Sequence, residues 1–171
     1  MKIFSVAQIK NWDSYTIKNE RISSGDLMER AAKACSGWII ENFTQSSSYK
    51  LFCGKGNNGG DGLAIARLLK QHHFSVKVYI VETAHSGTPD FETNLESLRK
   101  ISSEINFIES TKSFPIIDCD EIIIDALFGS GLNKKPSGIF KDLITYLNKS
   151  TATIVSADVP SGLYIDKSSL G

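Results

Sequence analysis

Apolar positions over the first 45 residues recur at helical spacing. Val6, Ile9, Trp12, Thr16 and Ile17 fall near one stripe. The cluster Ser23, Ser24, Gly25, Asp26 is a good N-cap. It opens a second run in which Leu27, Met28, Ala31, Ala34, Cys35, Trp38 and Ile39 follow the i, i+3/4, i+7/8 pattern. The pattern predicts a helical lead-in over residues 1–45, with the Met and Trp side chains in the core. Residues 44–48 read as a polar loop. From residue 49 short apolar runs alternate with helical segments. Strands are expected at 49–53, 76–81, 105–108, 121–125 and 152–158, and helices at 61–72, 91–102 and 137–148. Strand–helix alternation implies a mostly parallel sheet with helices on both faces. In such sheets ligands bind at the carboxyl ends of the strands.

Composition narrows the class without adding chemistry. At 171 residues the chain suits one domain, and 41% hydrophobic with 22% charged residues is ordinary for a globular protein. Nineteen basic and nineteen acidic residues cancel, so no global field draws it to nucleic acid or membrane. No signal-peptide core or membrane-length apolar stretch occurs, and the chain reads as cytoplasmic. Cys35, Cys53 and Cys119 form no CxxC pair or zinc spacing, and each reads as a small buried hydrophobe.

The candidate chemistry lies in three turns. Gly54-Lys55-Gly56-Asn57-Asn58-Gly59-Gly60-Asp61-Gly62 follows the first strand and opens a helix. Its five glycines permit close backbone approach to a ligand and positive φ. The N–H groups at the helix start face any phosphate. Gly54, Gly56 and Gly59 also satisfy the loose dinucleotide pattern, with Glu82 a candidate ribose acid. The missing Gly-Lys-Ser/Thr excludes a Walker A loop. The second strand-end turn runs from Asp125 through Gly129, Ser130 and Gly131 to Lys134 and Lys135, and the third delivers Asp158 and Ser161. Parallel strands would gather Asn57, Asn58, Asp61, Asp125, Asp158 and Ser161 along one crevice. That set of hard oxygens, low in charge and free of soft ligands, suits a monovalent cation such as potassium at least as well as magnesium or calcium. His72 and His73 at a helix end, and His85 in a polar loop, carry no comparable signal.

The runs GKGNNGGDGLAIARLL, DALFGSGL and ADVPSGL, in that order and spacing and preceded by LMERAA, resemble the YjeF N-terminal family, the NAD(P)H-hydrate epimerases. The resemblance spans nearly the whole chain, with the Rossmann-like core at 49–162. It implies a three-layer α/β/α Rossmann-like sandwich, a homodimer, and a small-molecule substrate, NADHX or NADPHX, whose R and S epimers are interconverted. An ATP- or ADP-dependent dehydratase, fused or separate, is the implied partner. Substrate contacts carry over to Asn57, Asn58, Gly59, Gly60 and Asp61, to Gly129, Ser130, Gly131, Leu132, Asn133, Lys134 and Lys135, and to Asp158, which is also the expected acid–base. The potassium ligands carry over to Asn58, Asp125 and Ser161.

This chain reads Asn133-Lys134-Lys135-Pro136 where many members place one basic residue or Asn-Arg-Pro, so the substrate-binding cation falls on Lys134 or Lys135. The family's domains also continue several tens of residues past the Pro-Ser-Gly turn, so further strands are expected beyond Gly171. Two other readings compete. One is a Rossmann oxidoreductase using Glu82 for ribose. The other is a non-catalytic nucleotide-binding scaffold, because fold alone does not certify catalysis.

Overall fold

The computed structural model describes residues 4–169. Two helices lead, α1 (Val6–Glu20) and α2 (Ser24–Asn42), each opened by a serine capping box. Then follow β1 (Ser48–Cys53), α3 (Asn57–Gln71), β2 (Ser75–Val81), α4 (Pro89–Arg99), β3 (Ile105–Ile108), β4 (Ile122–Ala126), α5 (Gly138–Asn148) and β5 (Thr153–Ser156). The five strands are all parallel, in the order β3-β2-β1-β4-β5. From β1 the chain winds outward to β3, then returns to the other side of β1 at β4. This reversal leaves a crevice at the carboxyl ends of β1 and β4, where Cys53 pairs with Ala126.

The central strands β1, β2 and β4 are covered on both faces and read as near-continuous apolar runs, whereas the edge strands β3 and β5 are largely exposed. Leu51, Val78, Ile80 and Ile124 pack with Leu63 and Leu69 of α3, Ile39 of α2, and Phe91 and Leu95 of α4. Phe52, Tyr79 and Ile123 face the other way, onto Leu143 and Leu147 of α5. The Phe52 and Tyr79 rings stack at 5.2 Å. Lys50 breaks the apolar run of β1. It is buried, and its ammonium is paired with Glu121. Gly62 lets α3 approach the sheet, because a Cβ there would lie 2.6 Å from Ala126 Cβ.

Element order follows the pattern in the sequence, with five corrections of detail. The third helix begins at Asn57 rather than Asp61, so the glycine run is largely helix and not turn. The last strand ends at Ser156, leaving Asp158 two residues beyond it in a bend. The buried stripe of α2 is Met28, Ala32, Ser36 and Ile39, whereas Ala31, Ala34 and Trp38 face outward. Small residues at Ala32 and Ser36 let α2 lie close on α3, which rotates Trp38 out to 51% exposure. No residue of α1 is buried, and Trp12 is 59% exposed against Phe4. Of the cysteines, Cys53 is buried, Cys35 half-buried and Cys119 exposed on a loop.

Candidate functional site

A cleft of about 890 Å³ opens at the β1/β4 switch point, a size suited to a nucleotide-like ligand. One wall is the β1–α3 connection, from Gly54 to Asp61. The opposite wall is the β4–α5 connection, Leu127 to Ser137, and Asp158 arrives from β5. Among the residues expected to bind substrate, Asn57, Asn58, Asp61, Asp158 and every residue from Gly129 to Lys135 line this space. Gly59 and Gly60 do not. Their absent side chains serve packing: a Cβ at Gly59 would sit 1.7 Å from the Gly54 carbonyl, and one at Gly60 would meet the Met28 sulfur at 3.0 Å. No glycine of this loop has positive φ; among the described glycines that conformation occurs at Gly138 and Gly162.

The β4 end is organised by Asp125, which is buried. Its Oδ1 accepts the Ser161 hydroxyl at 2.6 Å and the Leu127 N–H at 3.1 Å, and its Oδ2 accepts the Ser161 N–H at 2.8 Å. Ser161 Oγ in turn accepts the Phe128 N–H at 2.9 Å. One carboxylate thus ties the turn after β4 to the turn after β5. Gly129 carries that turn between Asn58 and Asp158, since a Cβ there would lie 2.5 Å from Asp158 Oδ2 and 3.2 Å from Asn58 Cβ. The Ser130 N–H donates to Asp158 Oδ2 at 2.6 Å, fixing the carboxylate while leaving it exposed to the cleft.

Asn58 is the anomaly. It is buried at 8% exposure, and neither its amide oxygen nor its amide nitrogen has a hydrogen-bond partner. Each unpaired group costs about 1–3 kcal/mol. Such an orphan in a native fold calls for a ligand, ion or water. An amide oxygen, one carboxylate and a hydroxyl around the 127–129 turn form a donor set of low charge, which fits a hard monovalent cation.

Asp61 is a second unusual group. Burial, then the charges of Asp158, Asp13 and Asp90, push its carboxyl from 3.8 up to about 7. Burial and the same two aspartates, Asp61 and Asp158, also raise the Cys35 thiol behind the cleft. Glu82, the candidate ribose acid, is ion-paired with Lys55 of the glycine loop. Lys55 also reaches the carbonyls of Thr83 and His85 at 3.4 Å, and its own carbonyl accepts the Thr88 N–H at 3.0 Å. The hook that an oxidoreductase would extend to ribose is therefore already occupied. None of the three histidines lines the cleft.

Sequence reasoning missed a further wall. Ile9, Lys10 and Asp13 of α1 line the cleft, as does Phe140 of α5. No motif marks them, and the α1 residues sit on what looks like a solvated helix face.

The family profile described as "YjeF-related protein N-terminus" matches residues 24–170. A protein of Anaerococcus prevotii named NAD(P)H-hydrate epimerase is 35% identical over 169 residues, covering 95% of this chain and 76% of that protein. One of the same name from Limosilactobacillus reuteri is 34% identical over 166 residues, with 96% and 76% covered. A Thermofilum pendens protein named bifunctional NAD(P)H-hydrate repair enzyme Nnr is 28% identical over 169 residues, 97% of this chain but 32% of that protein. The crystal structure of yeast ynu0 superposes with a TM-score of 0.78 at 22% identity, covering 95% of this chain and 72% of that one, which shows the shared fold.

Proposed function

The chain belongs to the family of YjeF-related protein N-termini, and from that premise we propose that it is an NAD(P)H-hydrate epimerase. Its substrates are NADHX and NADPHX, and it interconverts their R and S epimers at the hydrated ring carbon. The observation that carries this reading is the switch-point cleft, whose walls are built from the segments shared with relatives named for that activity.

The chemistry follows from the groups in the cleft. The first turn of α3 offers free N–H groups and the positive end of its dipole to the dinucleotide phosphates. Lys134 and Lys135 face them from the opposite wall. Asp158, held by the Ser130 N–H, serves as acid–base. It protonates the ring hydroxyl, which departs as water with the C–O electron pair while the ring nitrogen's lone pair closes a C=N bond. Water then adds to the other face of the ring and returns a proton to the carboxylate. Asn58, Asp125 and Ser161 would hold potassium. When bound, the ion would supply a fixed positive charge that helps draw the anionic dinucleotide into the cleft.

The same reading extends to assembly and location. A homodimer is supported by Phe4, Trp12, Tyr15 and Trp38, exposed apolar surface that a second copy would cover. A dehydratase partner is supported by the bifunctional name of the Thermofilum pendens relative. Among the described residues no helix is long and apolar enough to cross a membrane. The three free cysteines suit the reducing cytoplasm. The test is epimer exchange on NADPHX followed by NMR. Exchange at the uncatalysed rate with saturating protein would overturn the assignment.

A further inference from the structure

The helix α1 precedes the matched family segment and buries none of its residues, yet it is tied down at both ends. At its start the Val6 N–H donates to the Asp166 carboxylate at 3.0 Å, joining it to the chain beyond the Ser161 turn. At its end Glu20 pairs with Arg30 of α2 at 2.7 Å. One side of the helix, with Ile9, Lys10 and Asp13, is thereby fixed against the cleft, where it can work on a bound ligand. That face carries Lys10.

The charges in the cleft say what the work is. Asp13, Asp61 and Asp158 all line it, and three carboxylates repel an anionic ligand. Lys55 is committed to Glu82. The Lys10 ammonium, by contrast, makes no ion pair or side-chain hydrogen bond among the described residues. The same holds for Lys134 and Lys135 on the facing wall. Resting on the epimerase reading, we infer that Lys10 is a phosphate-binding residue of the cleft, closing on the dinucleotide from the side opposite Lys134 and Lys135. The shared chemistry is a phosphate anion, either the diphosphate bridge or the 2′-phosphate that separates NADPHX from NADHX. An ammonium on a flexible stem suits either, as a point charge with three donors.

The experiment uses the whole chain with Lys10→Gln and Lys10→Arg. Binding of NADHX and NADPHX is titrated calorimetrically at low and moderate salt, and epimer exchange gives kcat and KM. Lys10→Gln is expected to raise Kd and KM about 10-fold while kcat stays within about twofold, a shift in binding without loss of chemistry. Its affinity should also fall less steeply with salt than the parent's. Lys10→Arg should restore most of the affinity, which a purely structural role for an exposed position would not require. An equal loss on both hydrates assigns Lys10 to the diphosphate, and a loss confined to NADPHX assigns it to the 2′-phosphate. Affinities within twofold of the parent for both hydrates overturn the inference. A parent that binds both hydrates but exchanges no epimers defeats the functional reading, and the titration still decides Lys10. A parent that binds neither defeats both.

Discussion

Replacing Asp61 by Asn should stabilise the ligand-free protein, and by more as the pH rises. The reason is the carboxyl's position, half-buried beside Asp158, with its acidity moved from 3.8 to about 7. The folded state therefore holds this proton more tightly than the unfolded chain does. Below about pH 4 the group is protonated in both states and has no effect. Between about pH 4 and 7 the unfolded chain ionises first, so stability falls with rising pH. Above 7 the penalty is fully developed. A shift of roughly three units, at 1.36 kcal/mol each, sets an upper limit of about 4 kcal/mol. Cleft water reaches part of the carboxyl and screens it, so about 2 kcal/mol is the working figure.

An amide of the same size cannot ionise and escapes the penalty. For a chain of this length that gain is worth roughly 4–8 °C in Tm at pH 8. The assay is urea unfolding of parent and Asp61→Asn at pH 5 and pH 8, without nucleotide or potassium, because any cation in the cleft alters the field. The advantage of Asp61→Asn should be about 1 kcal/mol at pH 5 and about twice that at pH 8. A difference that does not vary with pH, or a loss of stability at pH 8, would refute the argument that burial and like charge hold the proton on Asp61. Asp61 is also an expected substrate contact, and the substitution turns one of its two acceptor oxygens into a donor, so the more stable protein is expected to bind the hydrate less well, the usual trade at a functional site.

Three further outcomes are expected. Asp158→Asn keeps the shape and the acceptor for the Ser130 N–H, so hydrate binding should stay near normal while epimer exchange slows at least roughly 10²-fold, the lower end for general acid–base catalysis; exchange within a few-fold of the parent would move the proton step to another group. Crystals exchanged into rubidium should show anomalous density beside Asp125 and Asn58, and ordered loops with no peak at high rubidium would remove the cation from the account. Gly59→Ala should cost about 3 kcal/mol or more in urea unfolding, since its Cβ would sit 1.7 Å from the Gly54 carbonyl. Gly56→Ala, with nothing within 4 Å, should stay close to the parent.

Much of the fold could be read from period alone. Runs such as Ile122–Ala126, buried along their whole length, leave no polar face to mistake for a helix. Their alternation with helical segments forces a parallel sheet. The start of α3 was hidden for a physical reason. Each glycine costs a helix about 1 kcal/mol relative to alanine, so Gly59, Gly60 and Gly62 argue locally for a turn. Tertiary contact overrides that preference, because α3 lies against Gly54 and Ala126 at the end of β4 more closely than a Cβ permits, and tightly against Met28. The same override moved the stripe of α2, where packing on those glycines decides which side faces in, and spacing alone left Trp38 on the wrong side.

The candidate site divides along the same line. Asn58, Asp125, Asp158 and Ser161 were legible because each stands in a contiguous motif at a strand end, parallel strands place those ends on one edge of the sheet, and β1, β4 and β5 are neighbours there. What no motif could convey is how the groups depend on one another. Asp125 spends both its oxygens on the Leu127 and Ser161 groups, so it acts first as the pin between two turns. Asn58, one helical turn from Asp61, is left with both amide atoms unpaired. A buried amide in that state is a standing cost, and the fold retains it beside a glycine that could not be anything larger without striking Asp158. The wall supplied by α1 lies at the opposite extreme. Lys10 and Asp13 are three residues apart on a helix with no buried face, and a solvated helix would display the same pair. Their meaning comes from the Asp166 clasp that fixes the start of α1 beside the cleft, a contact across a sequence separation of 160 that no local pattern contains.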